Sequence, residues 1–159
     1  MRARGALRKW QGFTLVELLV VLVIIGITLG LASLNAIPSP RQELENEAQR
    51  IALLLQLARD EAIVRNRQVA FEANPERYRF TVRNDTGWEP VTRDDLLRER
   101  TFKSAPLQLA LDPNSGADPG TLRIVFGREP VDKPFVLTLA TGGNAVAIRA
   151  DGVGHFTVE

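Results

Sequence analysis

The longest apolar run in the chain begins at Phe13 and ends at Leu34. It holds 22 residues, and Glu17 is its only charged side chain. At 1.5 Å per residue a helix of this length measures about 33 Å, enough to cross a hydrocarbon core of about 30 Å. The pattern therefore predicts a transmembrane helix over 13–34. An ionised carboxylate in such a helix costs roughly 2.5 kcal/mol or more, so Glu17 requires a functional explanation.

A second helical pattern follows two prolines. Pro38 and Pro40 disfavour continuous helix, because proline lacks an N–H and restricts the residue before it. We therefore predict that the helix continues over 35–66 after a break at the prolines. Apolar residues in this segment recur at spacings of three and four, which predicts one apolar helix face that packs on the domain's own sheet: Leu44, Ala48, Ile51, Leu55, Ala58 and Ala62.

Beyond Arg67 the apolar positions alternate with a period of two, which predicts strands. Seven are expected, at 68–74, 77–83, 107–111, 121–126, 134–140, 144–150 and 153–158. Asp151-Gly152 is typical of a two-residue hairpin, and Gly142-Gly143-Asn144 marks another turn. The predicted fold class is α+β: a long N-terminal helix, transmembrane and then amphipathic, followed by an antiparallel, sandwich-like β domain over 67–159.

Charge is spread unevenly along the chain. The leader 1–12 carries only basic charges, at Arg2, Arg4, Arg8 and Lys9. Such a leader keeps its end of a membrane helix in the cytoplasm, which places the β domain on the opposite side. The remaining 16 basic side chains face 19 acidic ones, a balance of −3 that argues against nucleic-acid binding. The absence of cysteine excludes a disulfide framework, a thiolate zinc site and a cysteine nucleophile.

Candidate chemistry in the β domain is sparse. Asp112, Asn114 and Asp118 offer oxygen ligands for calcium in the 112–120 loop, but Gly116 stands where an EF-hand needs a third ligand. Turn chemistry accounts for these residues without a metal. His155 is the only histidine, and none of the four serines has the Gly-x-Ser-x-Gly context of a nucleophile. We therefore expect no metal, no cofactor and no enzymatic activity.

Three interpretations fit the N-terminal segment. A cleaved secretory signal has an apolar core of about 7–15 residues, whereas this run is longer and contains an acid. A plain membrane anchor explains the length and the basic leader but not Glu17. The string Gly12-Phe13-Thr14-Leu15-Val16-Glu17 resembles the processing site of type IV pilins and pseudopilins. That resemblance implies that a prepilin peptidase cleaves between Gly12 and Phe13, that the new Phe13 amine is methylated, and that the apolar run is retained.

The resemblance also gives Glu17 a role. Cleavage creates a positive amine at Phe13, and in a helical assembly Glu17 of one subunit can approach the amine of a neighbour. A carboxylate among apolar helices is stabilised by an opposite charge and strongly penalised without one, so Glu17 would fix the axial register between subunits. Glu17 and Phe13 are also four residues apart on one helix, so a contact within one chain is an alternative.

The rest of the chain narrows the resemblance. The segment 57–63, Tyr78-x-Phe80, Trp88 and Asp151-Gly152-x-Gly154 are similar to the minor pseudopilin H family of type II secretion and to FimT/FimU-type minor pilins. Membership implies a structural subunit near the tip of a periplasmic pseudopilus, held in the inner membrane by a single pass with its N-terminus cytoplasmic. The implied partners are a prepilin peptidase, other major and minor pseudopilins, the inner-membrane secretion platform and the lipid bilayer, but no nucleic acid.

Two other functions stay open. A minor type IV pilin that primes pilus assembly for motility or DNA uptake would share the N-terminal features. A membrane-tethered periplasmic enzyme would need a nucleophile beside a base, or a metal cluster, and the sequence offers neither arrangement.

Overall fold

The computed structural model describes residues 13–34, 39–92, 94–114 and 120–159. The chain divides into two units, one ending at Pro38 and the other beginning at Ser39. Within the first unit, α1 spans Leu15–Leu34. The second unit contains α2, Pro40–Val64, and all the strands. Residues 1–12, which hold the predicted leader, and 35–38, which hold the predicted break, lie outside the described residues. The domain boundaries inferred from the sequence stay predictions.

Local capping determines both ends of α2. Ser39 is the N-cap, and its hydroxyl accepts a hydrogen bond from the Gln42 N–H at 3.2 Å. At the other end Asn66 has φ +52°, a left-handed conformation that asparagine tolerates better than most residues. The Arg67 N–H donates to the Ala62 carbonyl and the Asn66 N–H to the Ile63 carbonyl, which is the hydrogen-bond pattern of a Schellman motif. This motif turns the chain from α2 into the first strand.

Nine strands in the described residues form two antiparallel sheets. Sheet I has the order β3-β2-β1-β6, and β4 also pairs with β2. Sheet II has the order β5-β7-β8-β9. The bounds are β1 Val69–Ala73, β2 Arg77–Asn84, β3 Gly87–Pro90, β4 Arg100–Thr101, β5 Gln108–Asp112, β6 Leu122–Phe126, β7 Phe135–Thr141, β8 Asn144–Ala150 and β9 Phe156–Val158. The predicted α+β class with antiparallel sheets is confirmed.

The core lies between α2 and the two sheets. α2 contacts β1 and β6 of sheet I and β7, β8 and β9 of sheet II. The predicted apolar face is confirmed, because all six of its residues are completely buried: Leu44, Ala48, Ile51, Leu55, Ala58 and Ala62. The same core contains an aromatic cluster from β1, β2 and the residue after β4, in which neighbouring ring centroids are 5.1 to 6.3 Å apart: Phe71, Tyr78, Phe80 and Phe102.

The predicted strands are present, but two short ones were missed and one turn was wrong. β3 and β4 have four and two residues, too few for a clear alternation. Gly142-Gly143 forms the predicted turn, since Thr141 pairs with Asn144 across it. Asp151-Gly152 does not form a two-residue hairpin, because Ala150 pairs with Phe156 and leaves a five-residue loop. The physical reason is the Asp151 carboxylate, which accepts hydrogen bonds from the N–H groups of Val153 and His155 and so stabilises the wider loop.

Substitution of Asn66 tests the role of its backbone conformation. Asn66→Val is expected to lower the free energy of unfolding by about 1–2 kcal/mol, because a β-branched residue is strained at positive φ. Asn66→Gly should leave it unchanged or raise it slightly, since glycine adopts this conformation freely. Urea unfolding of the full chain in detergent, followed by circular dichroism, measures both. Equal losses of unfolding free energy in the two variants would show that the asparagine side chain, and not the backbone φ, stabilises this turn.

Candidate functional site

The predicted processing site is only partly described. Gly12 lies outside the described residues, so cleavage between Gly12 and Phe13 stays a prediction. Phe13 precedes α1, and 75% of its surface is exposed. Nothing in the described part of the chain covers its ring, so the residue that would become the new N-terminus is accessible on this chain.

Thr14 and Glu17 together form the start of α1. The Thr14 hydroxyl accepts a hydrogen bond from the Glu17 N–H at 3.2 Å, and the Thr14 carbonyl accepts one from the Leu18 N–H at 3.2 Å. Thr14 is therefore the N-cap of α1, and Glu17 occupies the position where a capping box carries Glu or Gln. This local role was not predicted from the sequence, although the spacing Thr14-x-x-Glu17 just before an apolar run is its signal. Near the helix N-terminus a carboxylate is also stabilised by the helix dipole.

The charge of Glu17 has no basic partner among the described residues, since none of the ion pairs there includes it. Capping thus explains how Glu17 fits the end of a helix, but it leaves the negative charge uncompensated. Contact of the Glu17 carboxylate with the Phe13 amine, whether of the same chain or of a neighbouring subunit, stays a prediction.

From Leu15 to Leu29, the large apolar side chains of α1 are exposed. Their exposed fractions run from 44% at Val21 to 81% at Leu15, and exposed leucine, valine and isoleucine side chains follow one another along the helix. The Thr28 hydroxyl donates to the carbonyls of Ile24 and Ile25, at 2.9 and 3.0 Å. No helix in the described ranges is both long and apolar enough to cross a membrane.

In the second unit, a buried arginine of α2 bonds to the loop between β6 and β7 and lies beside the loop between β8 and β9. Arg59 is a residue of α2 whose side chain is only 10% exposed, and it donates a hydrogen bond to the Pro130 carbonyl. Its Nε lies 3.8 Å from Oδ2 of Asp132. The Asp132 N–H in turn donates to the Gly152 carbonyl at 2.8 Å. A Cβ added to Gly154 would lie 2.6 Å from Arg59 Nη1, so the guanidinium would have to shift to admit it, and the φ of +111° at Gly154 also favours glycine.

These contacts explain the motif Asp151-Gly152-x-Gly154 in structural terms. Gly152 has φ +83°, and a Cβ at this position would overlap the Asp132 carbonyl oxygen. Both glycines of the motif therefore make room for close contacts, one with a backbone segment and the other with the Arg59 guanidinium. Spacing along the sequence could not reveal this, because Arg59 and Pro130 are 71 positions apart.

His155 lies in the same loop but makes only a local pair. Its side chain is 80% exposed, and its Nδ1 lies 2.7 Å from Oδ2 of Asp151. The pKa of Asp151 is lowered to about 2, chiefly by the hydrogen bond from the Val153 N–H and also by the bonds from His155. The arrangement orders the loop. That the chain performs no catalysis stays a prediction.

The predicted calcium loop is only partly visible. Residues 115–119, including Asp118, lie outside the described residues. Among the residues that are described, no group of three histidine or acidic side chains could hold a metal ion. The acidic residues 94–95 belong to a loop in which Asp94 accepts hydrogen bonds from the N–H groups of Leu96 and Leu97, at 2.7 and 3.2 Å.

Sheet I carries a buried acid that sequence reasoning missed. Glu72 of β1 is 5% exposed and pairs with Arg79 of β2 and Arg123 of β6. Burial alone would raise the pKa of Glu72, but the hydrogen bonds from Arg123 and Arg79 outweigh it and hold the pKa below its ordinary value. Arg123 also lies over the Trp88 ring at 5.2 Å, and Arg83 lies over it at 5.7 Å. Trp88 is therefore a half-buried surface aromatic flanked by two guanidinium groups.

Comparison with known proteins covers both units. Residues 47–154 match the family model described as type II transport protein GspH, and residues 8–33 match the prokaryotic N-terminal methylation motif. The chain is 35% identical to the type II secretion system protein H of Pseudomonas aeruginosa, over 92% of this chain and 94% of that protein.

Solved structures show the same fold. A crystal structure of the minor pseudopilin EpsH from the type II secretion system of Vibrio cholerae superposes with a TM-score of 0.61 at 20% identity, covering 76% of this chain and 95% of that one. The solution structure of Escherichia coli GspH gives a TM-score of 0.59 at 19% identity, covering 76% and 91%. At such low identities these likenesses establish the fold.

Two glycines with the same backbone angle test the role of the C-terminal loop. Gly143 and Gly152 both have φ +83°, but only Gly152 lies against another segment. Gly143→Ala is expected to lower the free energy of unfolding by about 1–3 kcal/mol through backbone strain alone. Gly152→Ala should cost about 1–3 kcal/mol more, because its methyl group overlaps the segment at Asp132. Urea unfolding measures the difference, and equal losses would contradict a close contact at Gly152.

Proposed function

The chain belongs to the type II transport protein GspH family, and we propose that it serves as a minor pseudopilin, a structural subunit near the tip of the periplasmic pseudopilus that drives protein export by type II secretion. The observation that carries the proposal is the joint match of residues 47–154 to that family and of 8–33 to the methylation motif. One match covers the folded domain and the other the processing segment, so both parts of the chain point to the same class of protein.

Processing prepares the N-terminus for assembly. A prepilin peptidase removes residues 1–12, and the Phe13 amine that this creates is methylated. The methylation-motif match at 8–33 supports this step. The exposed position of Phe13 before the first turn of α1 agrees with a terminus that a peptidase can reach.

Glu17 then pairs with the amine of a neighbouring subunit and sets the axial register. Two observations support this: its charge meets no basic group among the described residues, and it lies in the first turn of a helix whose apolar surface is uncovered. Lipid and neighbouring helices cover that surface. In such surroundings an unpaired carboxylate is penalised by several kcal/mol. The axial register that pairs Glu17 with an amine is therefore favoured over other registers.

The apolar N-terminal segment anchors the chain in the inner membrane by a single pass, with its leader cytoplasmic and the unit 39–159 periplasmic. The basic leader supports this orientation. The other major and minor pseudopilins and the inner-membrane secretion platform are its partners. The chain does no chemistry of its own, and extension of the fibre does the mechanical work of export.

Two substitutions separate the capping role of this site from its charge. Glu17→Gln keeps a residue that a capping box accepts but removes the charge, whereas Thr14→Ala removes the cap and keeps the charge. Loss of the cap costs about 1 kcal/mol of helix stability, which lipid and neighbouring helices offset. We expect Glu17→Gln to reduce export to background and Thr14→Ala to leave it near the unaltered level, measured as exoprotein in the medium.

Intact mass of each variant extracted from membranes is the control. Loss of residues 1–12 and gain of one methyl group would show that the variant is inserted and processed, so that a defect lies in assembly. Normal export by Glu17→Gln would contradict the pairing of charges, and a chain that still begins at Met1 in the unaltered protein would contradict the proposed class.

A further inference from the structure

An open cleft lies where α2 ends and the strands of sheet I begin and end. It has a volume of about 740 Å³. Three exposed arginines line it: Arg67 just after α2, Arg83 near the end of β2 and Arg128 just after β6. The rest of the lining is short and polar, with Asp85 as its one acid: Asn66, Gln68, Asn84 and Asp85. We call this surface the arginine cleft.

The arginine cleft carries more positive than negative charge. Within the described residues neither Arg83 nor Arg128 forms an ion pair, and Arg67 makes only a 3.4 Å hydrogen bond to the Asn84 amide oxygen. Several other arginines of the unit do pair with acids, as Arg77 does with Glu99 and Arg79 with Glu72. Three guanidinium groups beside the single carboxylate of Asp85 leave a positive excess, which attracts an anionic partner.

The fold restricts the Arg83 side chain. Its guanidinium lies 5.7 Å from the centre of the Trp88 ring, and the other cation over that ring, Arg123, is held by the buried Glu72. For Arg67 the Schellman motif at Asn66 fixes the backbone from which the side chain extends. Because the Arg83 guanidinium is already in contact with the ring, less of its conformational entropy is lost when a ligand binds.

Guanidinium groups recognise carboxylates through paired, charge-assisted hydrogen bonds, and a half-buried tryptophan beside them supplies apolar contact area. We propose that the arginine cleft, with Trp88 at its border, binds an acidic segment of a partner protein that carries at least two carboxylates. A protein is favoured over nucleic acid because the chain beyond residue 12 has a negative balance and the cleft is a single patch, not a long basic stripe. The inference goes beyond the proposed export role and does not rest on it.

Fluorescence anisotropy with the full chain in zwitterionic detergent tests the proposal. The probe is a labelled ten-residue peptide of alternating Glu and Gly, and the neutral control carries Gln in place of each Glu. We expect saturable binding of the acidic peptide only. Arg83→Gln and Arg128→Gln should each weaken it about tenfold, as loss of a charge-assisted hydrogen bond implies.

Arg98→Gln is the matched control, because Arg98 is also exposed, forms no ion pair among the described residues and lies outside the arginine cleft. It should bind the peptide as the unaltered chain does. Equal weakening by Arg98→Gln would show that net charge alone drives binding, and absence of saturable binding would also overturn the proposal. If a 12-nucleotide single strand binds more tightly than the acidic peptide, and Arg83→Gln abolishes that binding, the cleft would be assigned to nucleic acid instead. The assay measures peptide binding at this surface only, so absence of binding would not contradict the proposed export role.

Discussion

The buried apolar face of α2 is the contact on which the unit 39–159 depends. Sheet I and sheet II are each hydrogen-bonded internally, and in the described residues no strand ladder joins one to the other. The helix contacts both, so its six fully buried residues hold the two sheets around one core. Each buried leucine or isoleucine contributes about 1.5–3 kcal/mol. Arg59, on the same helix, adds a hydrogen bond to the Pro130 carbonyl, and its guanidinium lies close to Gly154.

The two helices present opposite surfaces to their surroundings. α2 buries one apolar face within its own unit, whereas the large apolar side chains of α1 from Leu15 to Leu29 are exposed. Apolar surface of this extent marks a region that another molecule or a lipid phase covers. The folded core therefore lies in the unit 39–159, and the proposed membrane and subunit contacts fall on α1.

The sequence predicts those features whose signals are periodic or local. The α2 face follows from spacings of three and four, and the Gly142-Gly143 turn from two adjacent glycines. The capping of α1 also has a local signal, since Thr14 and Glu17 have capping-box spacing. It was missed because Glu17 was interpreted only through the cost of an acid in lipid. The five-residue loop after Ala150 was mispredicted because the Asp151 side chain, not the Gly152 backbone alone, determines its length. Long-range contacts are invisible to spacing: Glu72 meets Arg123 across 51 positions, and Arg59 meets Pro130 across 71.

The proposed assembly depends on contact between the Glu17 carboxylate of one subunit and the N-terminal amine of another. A membrane-permeant carbodiimide joins a carboxylate to an amine in direct contact, so treatment of assembled membranes with this reagent tests the contact. Mixing isotopically light and heavy chains distinguishes a link between subunits from one within a chain. We expect cross-linked peptides that join Glu17 to the amine of a different subunit. Links found only between Phe13 and Glu17 of the same chain, or no link at Glu17, would contradict it.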